Sequence, residues 1–547
     1  MEAICTSLVA VREGPSAPSA EGPCPVCGRL ASDFEDYWQA QYFRAQHQRA
    51  VEREVRLKKE IQQLKAQVRL LQQRLFGRSS EMASVVDAVA IPGDDPSPRR
   101  PRGQQPGRGS PRKRDYTHLP EVEEIHDLPE EQRRCACCGQ PFVSFPGSED
   151  SEILEVAVRA HRRIIRRPRY RPTCSCPGNK PIVTAPPVPR VLPKSKIGVS
   201  LWVEILLDKY LLQRPTYRLL EAWRLHGLDL SLGTVTDGLR HLEPLFTPLY
   251  EALIERSQQQ PLWHADETRW QVFVTLEGKV GHGWYLWVFH AADVVVFVLS
   301  PTRAHDVPEE HFGDEAEGIL VVDRYPAYKV MAQVQKGAIR LAFCWAHVRR
   351  DFLRLAQTCV EHRDWGLGWV ARIAVLYQLN AGRLEQSPGS PAWTAADQRL
   401  RDQVAALAQQ RDTELAAPQL ELAKAKVLTS LQTHWNGLTV FLDHPEVPLD
   451  NNTAERAQRG PVVGRKNYYG SGAAWSGRLA AMLFSLFQTL CLWKVNPHRW
   501  LTAYLQACAE AGGQTPADAA NYLPWNLSEE LRQEWSSNAC PEAINSS

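Results

Sequence analysis

The chain has 547 residues, with 64 Lys and Arg against 62 Asp and Glu, 44% hydrophobic residues and 23% charged ones. That composition excludes a fibrous or globally disordered chain, and the length leaves room for about three to five domains with sizeable cores. A net charge of +2 excludes a uniformly basic protein and directs attention to local clusters of arginine.

The first residues show no cationic segment followed by a long apolar core, and no uninterrupted run of about 18 apolar residues occurs anywhere. The expectation is a cytoplasmic protein without a membrane partner. The 13 cysteines, odd in number and partly in tight pairs, suit thiols or metal ligands better than a disulfide framework.

In chain order, residues 1–35 are rich in Gly, Pro, Ser and Ala and read as a flexible N-terminus carrying the pair Cys24-Pro-Val-Cys27. Residues 36–82 predict a helix. In it Leu57, Ile61, Leu64, Val68, Leu71 and Leu75 recur in alternating steps of four and three, the apolar seam of a short coiled coil. A single amphipathic helix packed on its own domain is the alternative. Residues 83–120 lose all periodicity, and Arg99, Arg100, Arg102, Arg108, Arg112, Lys113 and Arg114 make them a basic disordered linker suited to loose phosphate contacts.

Residues 121–192 carry Cys135-Ala-Cys137-Cys138 and then Cys174-Ser-Cys176, two thiol knuckles flanking a β-rich segment. That is the pattern of a zinc ribbon, with Cys135, Cys138, Cys174 and Cys176 as ligands to a structural Zn²⁺ and Cys137 spare. Arg162, Arg163, Arg166 and Arg167 lie between the knuckles and predict contact with a nucleic-acid backbone. Residues 193–250 predict three helices: Val199 to Leu212, Pro215 to His226, and one from Ser231 or Thr234 to Leu245. The Gly227-Leu-Asp-Leu link resembles a helix-turn-helix.

Over 251–500 the pattern becomes α/β. Strands are expected at Leu262 to Asp266, Arg269 to Leu276, Trp284 to His290, Val294 to Leu299 and Gly318 to Asp323, a ribonuclease H-like arrangement in which strand ends converge on one crevice. Asp266 and Asp323 close two strands expected to be neighbours, and strand alternation sends Glu267 to the opposite face from Asp266. A third acid, Glu455, sits in Asp450-Asn451-Asn452-Thr-Ala-Glu455-Arg456, followed by Arg459, Arg465 and Lys466 as a cationic lining. The bland alternative is a capping box between Asn452 and Glu455. Residues 351–444 predict a helical insertion, Cys344-x-x-His347 and Cys359-x-x-His362 have ligand-like spacing, and 501–547 form a C-terminal tail.

Taken together the motifs resemble the large transposases of the insertion sequence 66 family. The resemblance runs from Leu75-Phe-Gly-Arg-Ser-Ser-Glu81 through the Cys135 to Cys176 ribbon to His264-Ala-Asp-Glu-Thr268, Val322-Asp-Arg-Tyr325 and Cys344-Trp-Ala-His-Val-Arg-Arg350. It continues in Asp450-Asn-Asn-Thr-Ala-Glu-Arg456, Gly464-Arg-Lys-Asn467 and Tyr522-Leu-Pro-Trp-Asn526. It implies a multidomain chain with N-terminal coiled-coil, zinc-ribbon and helix-turn-helix modules, then a ribonuclease H-like catalytic domain. It implies a catalytic triad of Asp266, Asp323 and Glu455 holding two Mg²⁺ or Mn²⁺ ions, as hard oxygen donors would. The implied reaction is phosphodiester cleavage at the element ends and joining of the freed 3′-hydroxyl to target DNA, with Arg456, Arg465 and Lys466 balancing phosphate charge. Implied partners are double-stranded DNA, a second copy of the chain and small accessory proteins, and the protein would be nucleoid-associated when bound to DNA. A catalytically inactive DNA-binding relative, a stand-alone nuclease and a zinc-organised scaffold are the rival readings.

Overall fold

A computed structural model describes residues 46–57, 137–138, 140–141, 160–171, 182–277, 281–358 and 360–536. The Cys24/Cys27 pair, the coiled-coil seam beyond Leu57, the basic linker, and the ligands Cys135, Cys174 and Cys176 lie outside these residues. The chain divides into two compact units, one comprising Met1–Ala90, Val348–Gln378 and Gln419–Val427, the other Ile91–His347, Leu379–Pro418 and Leu428–Ser547.

In the larger unit a short antiparallel pair, β1 (Arg169–Tyr170) and β2 (Val183–Thr184), precedes three helices. These are α1 (Val199–Tyr210), α2 (Thr216–Leu225) and α3 (Leu232–Gln258). Pro215 is the N-cap of α2. Ser231 caps α3 by accepting the Thr234 N–H at 3.2 Å. Gly227, at φ +77°, supplies the left-handed turn between α2 and α3. The third helix does not stop near Leu245. It runs through Pro244 and Pro248 because Leu242, Leu245, Phe246, Leu249 and Leu253 form a continuous buried face, whose packing outweighs the two missing backbone donors.

The central sheet has five strands in the order β5-β4-β3-β6-β7. They are β3 (Leu262–Gln271), β4 (Gly283–His290), β5 (Val295–Ser300), β6 (Gly318–Val322) and β7 (Ile339–Phe343). β3, β4 and β5 are antiparallel neighbours, whereas β6 pairs parallel to β3 and β7 parallel to β6. Two corrections to the sequence expectation follow. The two runs Leu262 to Asp266 and Arg269 to Leu276 are one strand ending at Gln271. β7 is additional, and its short IRLAF stretch, more than half of it not buried, lacks the apolar continuity that marks β6.

The odd-numbered face of β3 carries Trp263, Ala265 and Glu267. It is covered by α4 (Asp306–Phe312) and α5 (Pro326–Lys329), whose Phe312 and Tyr328 meet Trp263 and Trp287 edge to face at 4.9 and 5.8 Å. The even-numbered face carries His264, Asp266, Thr268 and Trp270. It lies under α12 (Asn452–Tyr468) and α13 (Ala474–Leu492), with Trp270 in edge contact with both Tyr468 and Phe484. β5 is the outer strand. Its exposed donors are not left open, because Ser485 accepts the Phe297 N–H at 2.8 Å and Thr489 the Val295 N–H at 3.0 Å.

α6 (Ala332–Gln335) precedes β7, and between β7 and α12 every described element is helical: α7 (Trp345–Thr358), α8 (Arg363–Leu384), α9 (Pro391–Leu415), α10 (Leu422–Thr433) and α11 (Trp435–Leu438), with short 3-10 turns between them. In the larger unit this region is organised around Arg383. Its fully buried guanidinium bonds Asp397 at 2.8 Å, Asn380 at 2.8 Å and the Phe441 carbonyl at 2.8 Å. The smaller unit is held by an aromatic stack, Phe352 on Trp369 at 5.1 Å, and by an ion pair of His362 with Glu421 at 3.0 Å.

Candidate active site

The parallel ladder between β3 and β6 pairs Leu262 with Ile319, Trp263 with Leu320 and His264 with Val321. Two residues further along each chain stand Asp266 and Asp323, so the register that pairs the apolar residues also brings these acids to the same level of the sheet. The third acid arrives on α12. Asn451 is buried at the start of that helix, donates its Nδ2–H to the Ala265 carbonyl at 2.7 Å and accepts from His264 Nδ1 at 3.1 Å. Its own N–H donates to Cys344 Sγ at 3.2 Å. One asparagine thus ties β3, the residue after β7 and the first turn of α12, and Glu455 follows one turn later with its N–H on the Asn451 carbonyl at 3.2 Å.

The capping box between Asn452 and Glu455 does not form. The N-cap is Asn451, without a side-chain cap, and the Asn452 N–H is taken by Asp450 Oδ1 at 3.1 Å. The Glu455 carboxylate instead lies 3.9 Å from His347 Nε2.

The carboxylates sense one another. Burial, then Glu267, Asp323 and Glu455, push the Asp266 carboxyl up to about 8. Glu267, on the opposite face, is neutralised separately. Arg303 Nε donates to its Oε1 at 2.9 Å and the Tyr328 hydroxyl to its Oε2 at 2.8 Å, and Arg303 lies over the Tyr325 ring at 3.8 Å. The same Tyr325 gives its N–H to Asp323 Oδ1 at 2.8 Å, which orients that acid. Burial holds His264 below its ordinary value and takes His290 down to about 4, so the imidazoles beside the acids are neutral near pH 7. Burial also raises the Cys344 thiol to about 11, where its sulfur accepts the Asn451 N–H.

Among the described residues no group of three His, Cys, Asp or Glu side chains is closed enough to hold a metal ion as it stands. The donor chemistry nevertheless fits a hard divalent cation. Asp266 keeps its proton because other carboxylates surround it in a dry setting, and a cation is what would release that proton.

The remaining expected residues separate. Arg456 and Lys466 are exposed on α12. Arg465 is partly buried and spends its guanidinium inside the fold, on Thr268 Oγ1 at 3.1 Å and on the Arg269 carbonyl, so it staples α12 to β3. Arg162, Arg163, Arg166 and Arg167 are exposed beside β1, with Arg167 reaching the Ala185 carbonyl at 3.0 Å. Cys137 and Cys138 are exposed in a turn. No described helix is long and apolar enough to cross a membrane.

Asn451 stands in a sequence motif that gives it no task, and the Arg303 and Tyr328 brace lies outside every motif. The Asp450-Asn-Asn run was a signal for the first, since an asparagine can both donate and accept where two chain segments meet. No sequence signal links Arg303 to Glu267 across 36 residues.

The profile of the transposase IS66 family matches residues 194–479, which spans β3 to β7, the helical region and α12. An uncharacterized protein, y4jD, of Sinorhizobium fredii (strain NBRC 101917 / NGR234) is 27% identical over 507 residues, covering 86% of this chain and 95% of its own. A second from the same strain, y4qI, is 27% identical over 448 residues, 78% of this chain and 80% of its own. With more than half its length matched, and with Asp266, Asp323 and Glu455 inside the match, the chain belongs to the IS66 transposase family.

Proposed function

We propose that the protein is a DNA transposase that binds the ends of a mobile element and catalyses metal-dependent phosphodiester cleavage and strand transfer, with Asp266, Asp323 and Glu455 as its catalytic carboxylates. The observation that carries this reading is the Asp266 carboxyl, raised by burial, then by its neighbour Glu267 and by Asp323 and Glu455 gathered beside it. Burial raises Glu267 beside it as well, but there Arg303 and Tyr328 bond the carboxylate and offset part of the rise, whereas Asp266 is pushed further by three carboxylates. The mixed sheet with three antiparallel strands followed by two parallel ones supports a ribonuclease H-like catalytic domain.

Asp266 and Asp323 would hold Mg²⁺ or Mn²⁺ with Glu455, and bound divalent cations would supply Lewis acidity and a nucleophilic oxygen near neutral pH. The chain's own residues do the positioning. Asn451 sets the height of α12 on the sheet, the Tyr325 N–H fixes one Asp323 oxygen, and His347 faces Glu455, where it stabilises the ionised carboxylate whenever the imidazole is charged. Exposed Arg456 and Lys466 carry charge suited to DNA phosphates, and the exposed arginines beside β1 suit sequence-independent backbone contact. Association of copies through residues 36–82, a structural Zn²⁺ on Cys135, Cys138, Cys174 and Cys176, and accessory proteins of the same element belong to this proposal as well.

The test is transposition in cells from a plasmid carrying the whole native locus, comparing wild type with Asp323→Asn. New insertions from wild type and none from the variant support the reading. Insertions at equal rate from both remove Asp323 from the site, and none from either favours a DNA-binding relative without catalysis.

A further inference from the structure

Arg303 stands in the link between β5 and α4, and the carboxylate site as described gives it no contact with substrate. Its Nε donates to Glu267 Oε1 at 2.9 Å, and one Nη2 hydrogen goes to the same oxygen. The guanidinium lies over the Tyr325 ring at 3.8 Å and 6.0 Å from the centre of the Tyr285 ring. The Tyr325 hydroxyl donates to the Arg303 carbonyl at 3.0 Å, and the Tyr325 N–H to Asp323 Oδ1 at 2.8 Å. A single tyrosine therefore links this arginine to an acid of the site.

A guanidinium is a planar fork of five N–H donors. Glu267 takes only the side formed by Nε and Nη2, so the other edge, made of Nη1 and the second Nη2 hydrogen, bonds no protein atom among the described residues. Solvent reaches it, because the arginine side chain is 40% exposed while that of Glu267 is 2% exposed. Neutralising Glu267 alone requires no such edge, since a lysine would do it as a point charge. The unused edge presents two parallel N–H bonds, the geometry that matches two oxygens of one phosphate. Stacking on Tyr325 and the bonds to Glu267 fix the plane beforehand, so little side-chain freedom is lost on binding. Glu267 offsets the charge of Arg303, and the attraction for an anion rests on directed hydrogen bonds and not on surplus charge.

We propose that the free edge of Arg303 binds one backbone phosphate of the DNA strand running past Asp323 in a bidentate contact, with Tyr325 and Glu267 holding the guanidinium in plane. This subsite rests on the reading of Asp323 as part of a DNA-processing centre. It contacts phosphate and no base, so its contribution is to register and not to sequence choice.

The experiment is ethylation interference with the full-length protein. Duplexes carrying the end of the native element, sparsely ethylated on their phosphates, are sorted by whether the protein binds them, with Ca²⁺ in place of Mg²⁺ to keep the strands intact. Ethylation of one phosphate near the element terminus is expected to block wild type and to leave Arg303→Lys indifferent, because lysine keeps a cation on Glu267 and loses the fork. The Lys variant should also bind the unmodified duplex about tenfold more weakly, the scale of one charge-assisted bond. Glu267→Gln, which still accepts from Nε, should keep the wild-type pattern. If Arg303→Lys melts below wild type, Arg303→Gln/Glu267→Gln, which strands no buried charge, takes its place. A pattern unchanged by the loss of the fork, or lost equally in Glu267→Gln, overturns the subsite alone. A wild type that binds no end duplex overturns it together with the proposed function.

Discussion

His264 and Asn451 are 187 residues apart in the chain and 3.1 Å apart in the fold, joined from imidazole Nδ1 to amide Oδ1. With the Asn451 bond to the Ala265 carbonyl, that contact decides how far α12 slides along β3, and hence where Glu455 stands relative to Asp266. Asn451→Ala removes a buried donor and acceptor and leaves the Ala265 carbonyl without its partner, a loss of about 1–3 kcal/mol. Denaturant unfolding should show that loss, and transposition should fall further than stability alone explains. Asn451→Asp, which cannot donate to the carbonyl, should be no better. An Ala variant as stable and active as wild type would remove Asn451 from this role.

The Asp266 carboxyl makes stability depend on pH in a stated direction. Folding raises it from its ordinary 3.8 to about 8, so between those values the folded chain holds a proton that the unfolded chain has released. Its contribution therefore falls as pH rises across that window, and is complete only below it. Without divalent cations, Asp266→Asn should melt higher than wild type at pH 8, with the gap narrowing towards pH 5. Added Mg²⁺ should raise the wild-type melting temperature more at pH 8 than at pH 5 and leave the Asn variant nearly unmoved. A Mg²⁺ response of equal size in both proteins would place the cation elsewhere.

Arg303 is exposed over 40% of its side chain, whereas the Glu267 side chain it neutralises is exposed over only 2%. Truncating the arginine strands the acid, so Arg303→Ala should lose about 1–3 kcal/mol in denaturant unfolding, near the low end because Tyr328 still donates. Glu267→Gln in the Arg303→Ala background should recover part of it. The double variant standing no higher than the single one would show that the ion pair does not hold this corner.

Gly470 follows the left-handed Tyr469 at the end of α12 and has φ +139°, with the Gln271 carbonyl oxygen 2.2 Å from where a Cβ would sit. That approach lets Ser471 join the end of β3, giving its N–H to Gln271 and taking the Phe273 N–H. Gly470→Ala should therefore lose about 2 kcal/mol or more, as expected of a β-carbon in a conformation reserved for glycine. A circular-dichroism melt within a degree of wild type would contradict it.

Some of this was legible in the residues alone. An apolar run ending on an acid placed Asp323 at the end of β6, strand alternation separated Asp266 from Glu267, and a helix opening after Asp450 put Glu455 in its first turn, whereas Asp266, expected to close a strand, stands inside β3. These follow from periodicity and turn chemistry, which act over a few residues and leave their mark in any short window. What only the tertiary structure decided acts across long separations. The fusion of two expected strands into β3 and the recruitment of β7 depend on partners elsewhere in the sheet. The two prolines tolerated in α3 depend on the packing of a whole helix face. Arg465, expected from the sequence to face phosphate, bonds Thr268 and Arg269, since a charged side chain on a helix chooses between solvent and fold according to what lies opposite. The arrangement of the acids was settled the same way: local chemistry supplied the carboxylates, and a buried asparagine, an arginine brace and a parallel register brought them within reach of each other.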